Sequence, residues 1–329
     1  MVMKAVVLSG GIGEPSNFEI KELQNIEKIG ENELLIKQLA IGINYDDVMY
    51  RKGIFPLPDE IGKKPILGFE AVGEVISKGQ NVKSFEIGTR VGYAFSQFGA
   101  YATERVIDYR YVFAIKNNVS SDILAGSLRK GLTAEYLLFK VASLRKNDTI
   151  LIHSVAGGVG HLMVKLAKYC GLKVIGTVGC AEKRTMALAT GCDMVIDRSS
   201  EDIFDKVAEF TDYQGVKAVF DGIGKPVFDV SRHCLRPYGI YVSYGYSGGM
   251  LEPLDIFTLR ENSLFFTAPT LENYCANRYE FLFSVDHIMK LLNDGVLLPN
   301  VKKYTFDTIP QAHTDLETQK TNGSLVAMV

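Results

Sequence analysis

A turn of small and branched residues, Ser154-Val155-Ala156-Gly157-Gly158-Val159-Gly160, separates an apolar run from a helical one. Glycines so placed let a backbone approach a pyrophosphate, and the helix that follows offers unpaired N–H groups and the positive end of its dipole. The chemistry is anion binding, with Ala156, Gly157, Gly158 and Val159 as candidate contacts. Ahead of the turn, Thr149–His153 (T-I-L-I-H) has the length and β-branching of a buried parallel strand. Behind it, Val159, Leu162, Met163, Leu166, Ala167 and Cys170 recur three and four apart, which predicts a helix with one apolar face. An ordinary tight turn could hold the same glycines. The continuation argues otherwise, because a strand at Lys173–Val178, a helix at Ala181–Gly191 and a strand at Met194–Asp197 repeat the alternation.

The end of the second strand bears on which dinucleotide binds. Folds that take NAD place Asp or Glu there for the ribose hydroxyls, and that carboxylate repels a 2′-phosphate. Here the strand ends Thr177-Val178-Gly179-Cys180, with no acid before Glu182. NADPH is favoured over NADH. No metal or acid–base cluster accompanies the turn. The histidines at 153, 161, 233, 287 and 313 are scattered, and His153, at a strand end, is expected to pack or to bond neighbouring backbone.

The elements that must position these residues fall into two groups. Up to about Val119, runs at Lys4–Leu8, Glu33–Ile43, Ala71–Ser77, Arg90–Tyr93, Ala100–Val106 and Val112–Ile115 read as strands separated by turns. Such a succession suggests a barrel-like or sandwich domain. From about Ser121, helices carrying Leu124, Leu128, Leu132, Tyr136 and Phe139 lead into the strand–helix alternation. That alternation continues through Val216–Phe220, a helix at Pro226–Cys234, Gly239–Tyr244 and Ser263–Thr267. A helix at Arg278–Asn293, a strand at Val301–Phe306, a helix at Ile309–Thr318 and a strand at Ser324–Met328 close the chain. These are too few for a third domain and are expected to complete the first. The division is therefore 1–122 with 268–329, and 123–267.

Composition agrees with a globular protein. The 329 residues are 47% hydrophobic and 22% charged, enough for two domains with large cores. The net charge of −2 gives no basic field for nucleic acid. The N-terminal Met1–Val7 reads as a strand, not a signal peptide, and no apolar run approaches the roughly twenty residues of a membrane helix. Five scattered cysteines suit free thiols in a reducing cytoplasm.

Taken together, Ala40-Ile41-Gly42-Ile43-Asn44, Gly68-Phe69-Glu70-Ala71-Val72-Gly73, Lys130-Gly131-Leu132-Thr133, the turn at 154–160, Gly176-Thr177-Val178-Gly179 with Lys183, Val242-Ser243-Tyr244-Gly245 and Gly323-Ser324 resemble the zinc-free medium-chain dehydrogenases/reductases of the quinone oxidoreductase, or zeta-crystallin, type. The resemblance implies an α/β fold: a Rossmann doubly wound parallel sheet plus a discontinuous GroES-like β-barrel domain. It also implies NADPH as hydride donor and a homodimer. Lys183, Arg184 and Arg198 fall where relatives hold the 2′-phosphate, although the same cations could form a solvated helix face. Lys130, Thr133, Gly179, Ile223, Tyr244, Gly245, Ser247 and Gln319 are implied cofactor contacts, and Phe266-Thr267 would present backbone groups to the carboxamide. Asn44 is the implied partner of the ribose or of a substrate oxygen, and Tyr50 is a second catalytic candidate.

Departures from the family pattern shape the functional reading. Zinc relatives need a cysteine near the position of Asn44 and a histidine at that of Phe69, and neither residue here can replace them. Met49 and Phe55 stand where quinone-reducing relatives often have tyrosines, so the surroundings are more apolar. The reading is an NADPH-dependent quinone oxidoreductase. A 2-alkenal or enone reductase, or a nucleotide-binding protein without turnover, are the alternatives.

Overall fold

The computed structural model describes residues 2–58, 65–95 and 98–329. Two compact units are present, Met1–Arg129 with Leu298–Val329, and Lys130–Leu297. In the first, β1 (Met3–Leu8) pairs antiparallel with β2 (Phe18–Leu23). Next come β3 (Glu33–Ile43), α1 (Tyr45–Arg51), β4 (Glu70–Lys78), β5 (Arg90–Tyr93), β6 (Glu104–Asp108), β7 (Phe113–Ala114) and α2 (Ser121–Ala125).

α3 (Leu128–Tyr136) carries the chain into the second unit, through a π-helical turn at Leu137–Val141. There β8 (Thr149–Ile152), α4 (Gly158–Tyr169), β9 (Lys173–Val178), α5 (Arg184–Thr190), β10 (Met194–Asp197), α6 (Ile203–Phe210), β11 (Val216–Asp221), α7 (Phe228–His233), β12 (Leu235–Ser243) and β13 (Phe265–Thr267) alternate. α8 (Leu271–Tyr274) and α9 (Arg278–Asn293) end it. β14 (Val301–Thr305), α10 (Ile309–Glu317) and β15 (Ser324–Met328) return to the first unit.

The sheet of the second unit runs β10-β9-β8-β11-β12-β13, parallel throughout. That order reverses at β8/β11, the doubly wound arrangement whose ligands bind beyond the carboxyl ends of the strands. Leu151, Ile175, Ile196, Val219 and Tyr241 are its buried centre. In the first unit the path runs β14-β15-β3-β4-β5-β7, with β6 on β3. Leu34, Ile36, Ile41, Val75, Tyr93 and Tyr101 fill its core.

The expected return at 268 falls at 298. The cause lies on α9, which Asn277 starts by accepting the N–H groups of Tyr279 and Glu280. Its Ser284 hydroxyl donates to Glu135 of α3 at 3.1 Å, and Tyr274 stacks on Tyr136 of α3 at 4.6 Å. Both helices are thereby held to the second unit.

The run expected as a strand at Ala100–Val106 becomes regular only at Glu104. Before that it serves two neighbours, Tyr101 bonding Leu67 through its N–H and Val6 through its carbonyl. β12 starts four residues earlier than Gly239, at Leu235, because a shift in register and Tyr238 at φ 61° let it bend and continue.

Candidate active site

The glycine turn lies at the carboxyl edge of β8. Ser154 adopts a left-handed φ of 55°, its carbonyl accepts the Gly157 N–H at 2.9 Å, and Gly157 becomes the N-cap of α4. A Cβ at Gly160 would run into the Ser154 carbonyl, so only glycine lets helix and strand pack this closely. The first N–H groups of α4, from Gly158 onward, have no intrahelical acceptor, which suits a helix start to an anion. His153 does not join them. Its ring bonds Thr177 Oγ1 at 2.9 Å and Ser231 Oγ at 2.7 Å, and burial depresses its pKa to about 3, so it is a neutral structural residue.

Arg198 meets the end of β9 through its backbone, donating to Val178 O at 3.0 Å beside Gly179. Its guanidinium is half-buried and lies near Asp221 and Asp197, and its Nε has no hydrogen-bond partner among the described residues. A half-buried, under-satisfied guanidinium at this edge is a fitting partner for a phosphate. Lys183 stands in a short 3-10 turn at Ala181–Lys183 before α5. Arg184 is different. It forms a fork with Glu201 at 3.0 and 3.2 Å and donates to Val195 O at 2.8 Å, so its implied phosphate role conflicts with an occupied ion pair.

The remaining residues expected at the nucleotide are assembled by Asp221 at the end of β11. Its buried carboxylate accepts the N–H of Ile223 at 2.7 Å, that of Gly224 at 3.1 Å and the Tyr241 hydroxyl at 2.7 Å. Ser247 donates from N and Oγ to Gly222 O, and Tyr244 donates from N to Asp221 O. Ile223, Tyr244, Gly245 and Ser247 thus form one pinned loop pair. Phe266 stacks on Tyr241 at 5.6 Å, turning its ring inward while Thr267 ends β13. Lys130, buried, and Thr133, half-buried, sit three apart on one face of α3.

In the first unit, Asn44 caps α1. Its N–H donates to Asp47 Oδ2 at 2.9 Å, and acidic Asp46 and Asp47 suit the helix start as Arg51 suits its end. The Asn44 amide donates to Glu70 Oε2 at 3.0 Å. Asp47 is fully buried and also accepts the Tyr101 hydroxyl at 2.9 Å, which in turn meets His313 Nε2 at 2.9 Å. His313 Nδ1 accepts from Arg51 at 3.4 Å, and Arg51 pairs with Glu317 at 2.5 Å. Desolvation lifts the Asp47 pKa to about 7 and lowers that of His313 to about 3.

Tyr50 packs on Phe98, Phe55 and Phe69 at 4.8, 5.4 and 5.6 Å. Gln319 follows α10 with a left-handed φ of 55°. Zinc does not fit here: Phe69 has no donor atom, the Asn44 amide is bonded to Glu70, and no group of three metal-ligating side chains occurs among the described residues.

Comparison with known proteins decides the family. The alcohol dehydrogenase GroES-like domain matches residues 30–149, and the zinc-binding dehydrogenase domain matches residues 158–280. The chain is 35% identical to a 2-haloacrylate reductase of a Burkholderia species, covering 100% of this chain and 99% of the relative. It is 33% identical to a quinone oxidoreductase of Pseudomonas aeruginosa, covering 96% and 97%. The protein belongs to the zinc-free quinone oxidoreductase family of medium-chain dehydrogenases/reductases. The solved Escherichia coli quinone oxidoreductase complexed with NADPH superposes with a TM-score of 0.92 at 32% identity, covering 100% of this chain and 99% of that one. This oxidoreductase keeps the family's Rossmann and GroES-like halves.

Reading the sequence residue by residue left four side chains unassigned: Glu70, Asp47, Arg129 and Asp221. Glu70 and Arg129 lie inside or beside the motif stretches. Their buried charge was the available signal, because a charged residue in an otherwise apolar run needs a partner.

Proposed function

We propose that the protein is an NADPH-dependent reductase that reduces quinones without a metal. The observation that carries this is the carboxyl edge of the β10-β9-β8-β11 sheet. There a glycine turn opens α4 and Arg198, with its unpartnered Nε, lies beside the acid-free end of β9. Ala156, Gly157, Gly158 and Val159 hold the pyrophosphate, and Gly179, Lys183 and Arg198 hold the 2′-phosphate. Lys130, Thr133, Ile223, Tyr244, Gly245, Ser247, Phe266, Thr267 and Gln319 complete the nucleotide contacts. Bound NADPH supplies the hydride. Asn44, held by Glu70 and Asp47, orients the ribose or the substrate oxygen, and Tyr50 offers an aromatic face to a planar substrate. The reduced oxygens of a quinone take protons from water.

The second reading is reduction of a conjugated carbon–carbon double bond. The apolar packing of Tyr50, Phe55, Phe69 and Phe98 favours it, as does the similarity to a protein named 2-haloacrylate reductase. NADPH oxidation across a panel of quinones and enones tests both. Turnover with quinones selects the first reading and turnover with enones alone the second, while tight NADPH binding with no turnover leaves a nucleotide-binding protein.

We further propose a homodimer. β13 ends its sheet, and Phe265 on that strand is 60% exposed. A two-fold mate pairing there would cover the edge. Five free thiols suit a cytoplasmic location, and no described helix is long and apolar enough to cross a membrane.

A further inference from the structure

We propose that Arg129 reads a carboxylate on the substrate, so that the preferred electrophiles are acidic conjugated compounds such as 2-substituted acrylates; this rests on the reductase reading above. Arg129 is the last residue of the first unit before α3 crosses to the second, and its side chain is only 9% exposed. Its guanidinium lies 5.1 Å from the centre of the Phe69 ring. Nη1 donates to Ala94 O at 3.1 Å and Nη2 to Asp46 Oδ2 at 2.8 Å. The Arg129 backbone N–H donates to Glu70 Oε1 at 2.6 Å, and the other oxygen of the same carboxylate takes the Asn44 amide. One hydrogen-bonded set therefore ties the cation to Asn44 and to the aromatic cluster of Tyr50, Phe55, Phe69 and Phe98.

The pair is asymmetric. Asp46 is 44% exposed while Arg129 is buried on an aromatic face. A solvated carboxylate on the outer side of an ion pair contributes little to stability and can leave readily. Asp46 also displays how this guanidinium takes a carboxylate, and a substrate carboxylate can exchange for it at the same Nη2. The aromatic cluster beside it suits a flat, conjugated anion.

Such a substrate needs a cation. A hydride from NADPH forms a new C–H bond at the β-carbon of an enoate and leaves NADP+. The π-bond electrons move onto the carboxylate, giving a dianionic enediolate, and water then protonates the α-carbon. A fixed guanidinium at the carboxylate stabilises the charge as it develops. A neutral quinone makes no such demand.

The test compares wild type, Arg129→Met and Asp46→Asn with 2-chloroacrylate and its neutral amide. Calorimetric titration of 2-chloroacrylate into the nucleotide-free protein reads binding alone. NADPH oxidation reads the ratio of kcat/KM for acid over amide. Arg129→Met should weaken acid binding and lower the ratio, each by about tenfold to a hundredfold. Asp46→Asn, at a half-exposed position, should move both the other way by removing the competing carboxylate. The proposal fails if wild type does not bind the acid, if Arg129→Met affects acid and amide alike, or if Asp46→Asn does not strengthen acid binding. If Arg129→Met does not fold, Asp46→Asn decides alone. Quinone turnover without any preference for the acid overturns this role and leaves the reductase reading in place. Absence of turnover with every electrophile overturns that reading, and the titration then decides the role of Arg129.

Discussion

Arg198 and Arg184 are fourteen positions apart in sequence and carry the same charge, yet they should behave oppositely when cut back to glutamine. Arg198 is half-buried with an unpartnered Nε beside the β9 end, so a 2′-phosphate gains a charge-assisted contact in a poorly solvated place. Such a contact is worth roughly 1.5–3 kcal/mol, which is about ten- to 150-fold in affinity. Arg198→Gln should therefore raise the NADPH dissociation constant by that factor and leave NADH nearly unchanged. Arg184 is already forked onto Glu201, and its side chain is 41% exposed. Arg184→Gln should cost about 1 kcal/mol of stability or less and leave the NADPH/NADH ratio alone. Fluorescence titration of both nucleotides against both variants gives the four constants. Equal weakening of NADPH and NADH by Arg198→Gln would refute the assignment, as would a ratio that Arg184→Gln shifts just as far.

Three further outcomes follow from the geometry. The raised pKa of Asp47 means its stabilising contribution is full below about 4 and is lost as pH rises through about 7, on the order of 4 kcal/mol in all. His153 and His313, both depressed to about 3, act in the opposite sense and remove stability as pH falls below 6.5. Over pH 5–7 Asp47 opposes the two histidines, so stability to urea should rise more steeply with pH in Asp47→Asn than in wild type; an unchanged slope would count against a buried, titrating Asp47. Phe265→Asp, at an exposed position on the edge strand, should convert the proposed dimer to monomer in sedimentation, and a wild type that sediments near its 36.4 kDa chain mass would end the dimer proposal. Activity should survive prolonged chelation, and its restoration by zinc after loss would contradict the metal-free site.

The nucleotide half was legible because its signals are local. A glycine turn after a β-branched run, and strands at even spacing, leave their periods in the sequence whatever the tertiary context. Asn44 and Tyr50 were picked out by resemblance alone, since the helix Tyr45–Arg51 that Asn44 caps has seven residues, too few for a period. The late boundary at 298 depends on Ser284 meeting Glu135 and Tyr274 meeting Tyr136, long-range pairs that no spacing reveals. Arg184 looked as basic as Arg198, and only the fold disclosed that Glu201 holds it. Buried charge networks such as Asp47–Tyr101–His313–Arg51 are equally invisible until four separate segments come together.

The most direct measurement is anaerobic mixing of the protein with NADPH deuterated or not at the nicotinamide C4, followed by a quinone. The account predicts NADPH oxidation that slows on deuteration at one C4 face, with no added metal and with NADH a poorer donor. NADPH that binds and is never oxidised by any quinone or enone would contradict it.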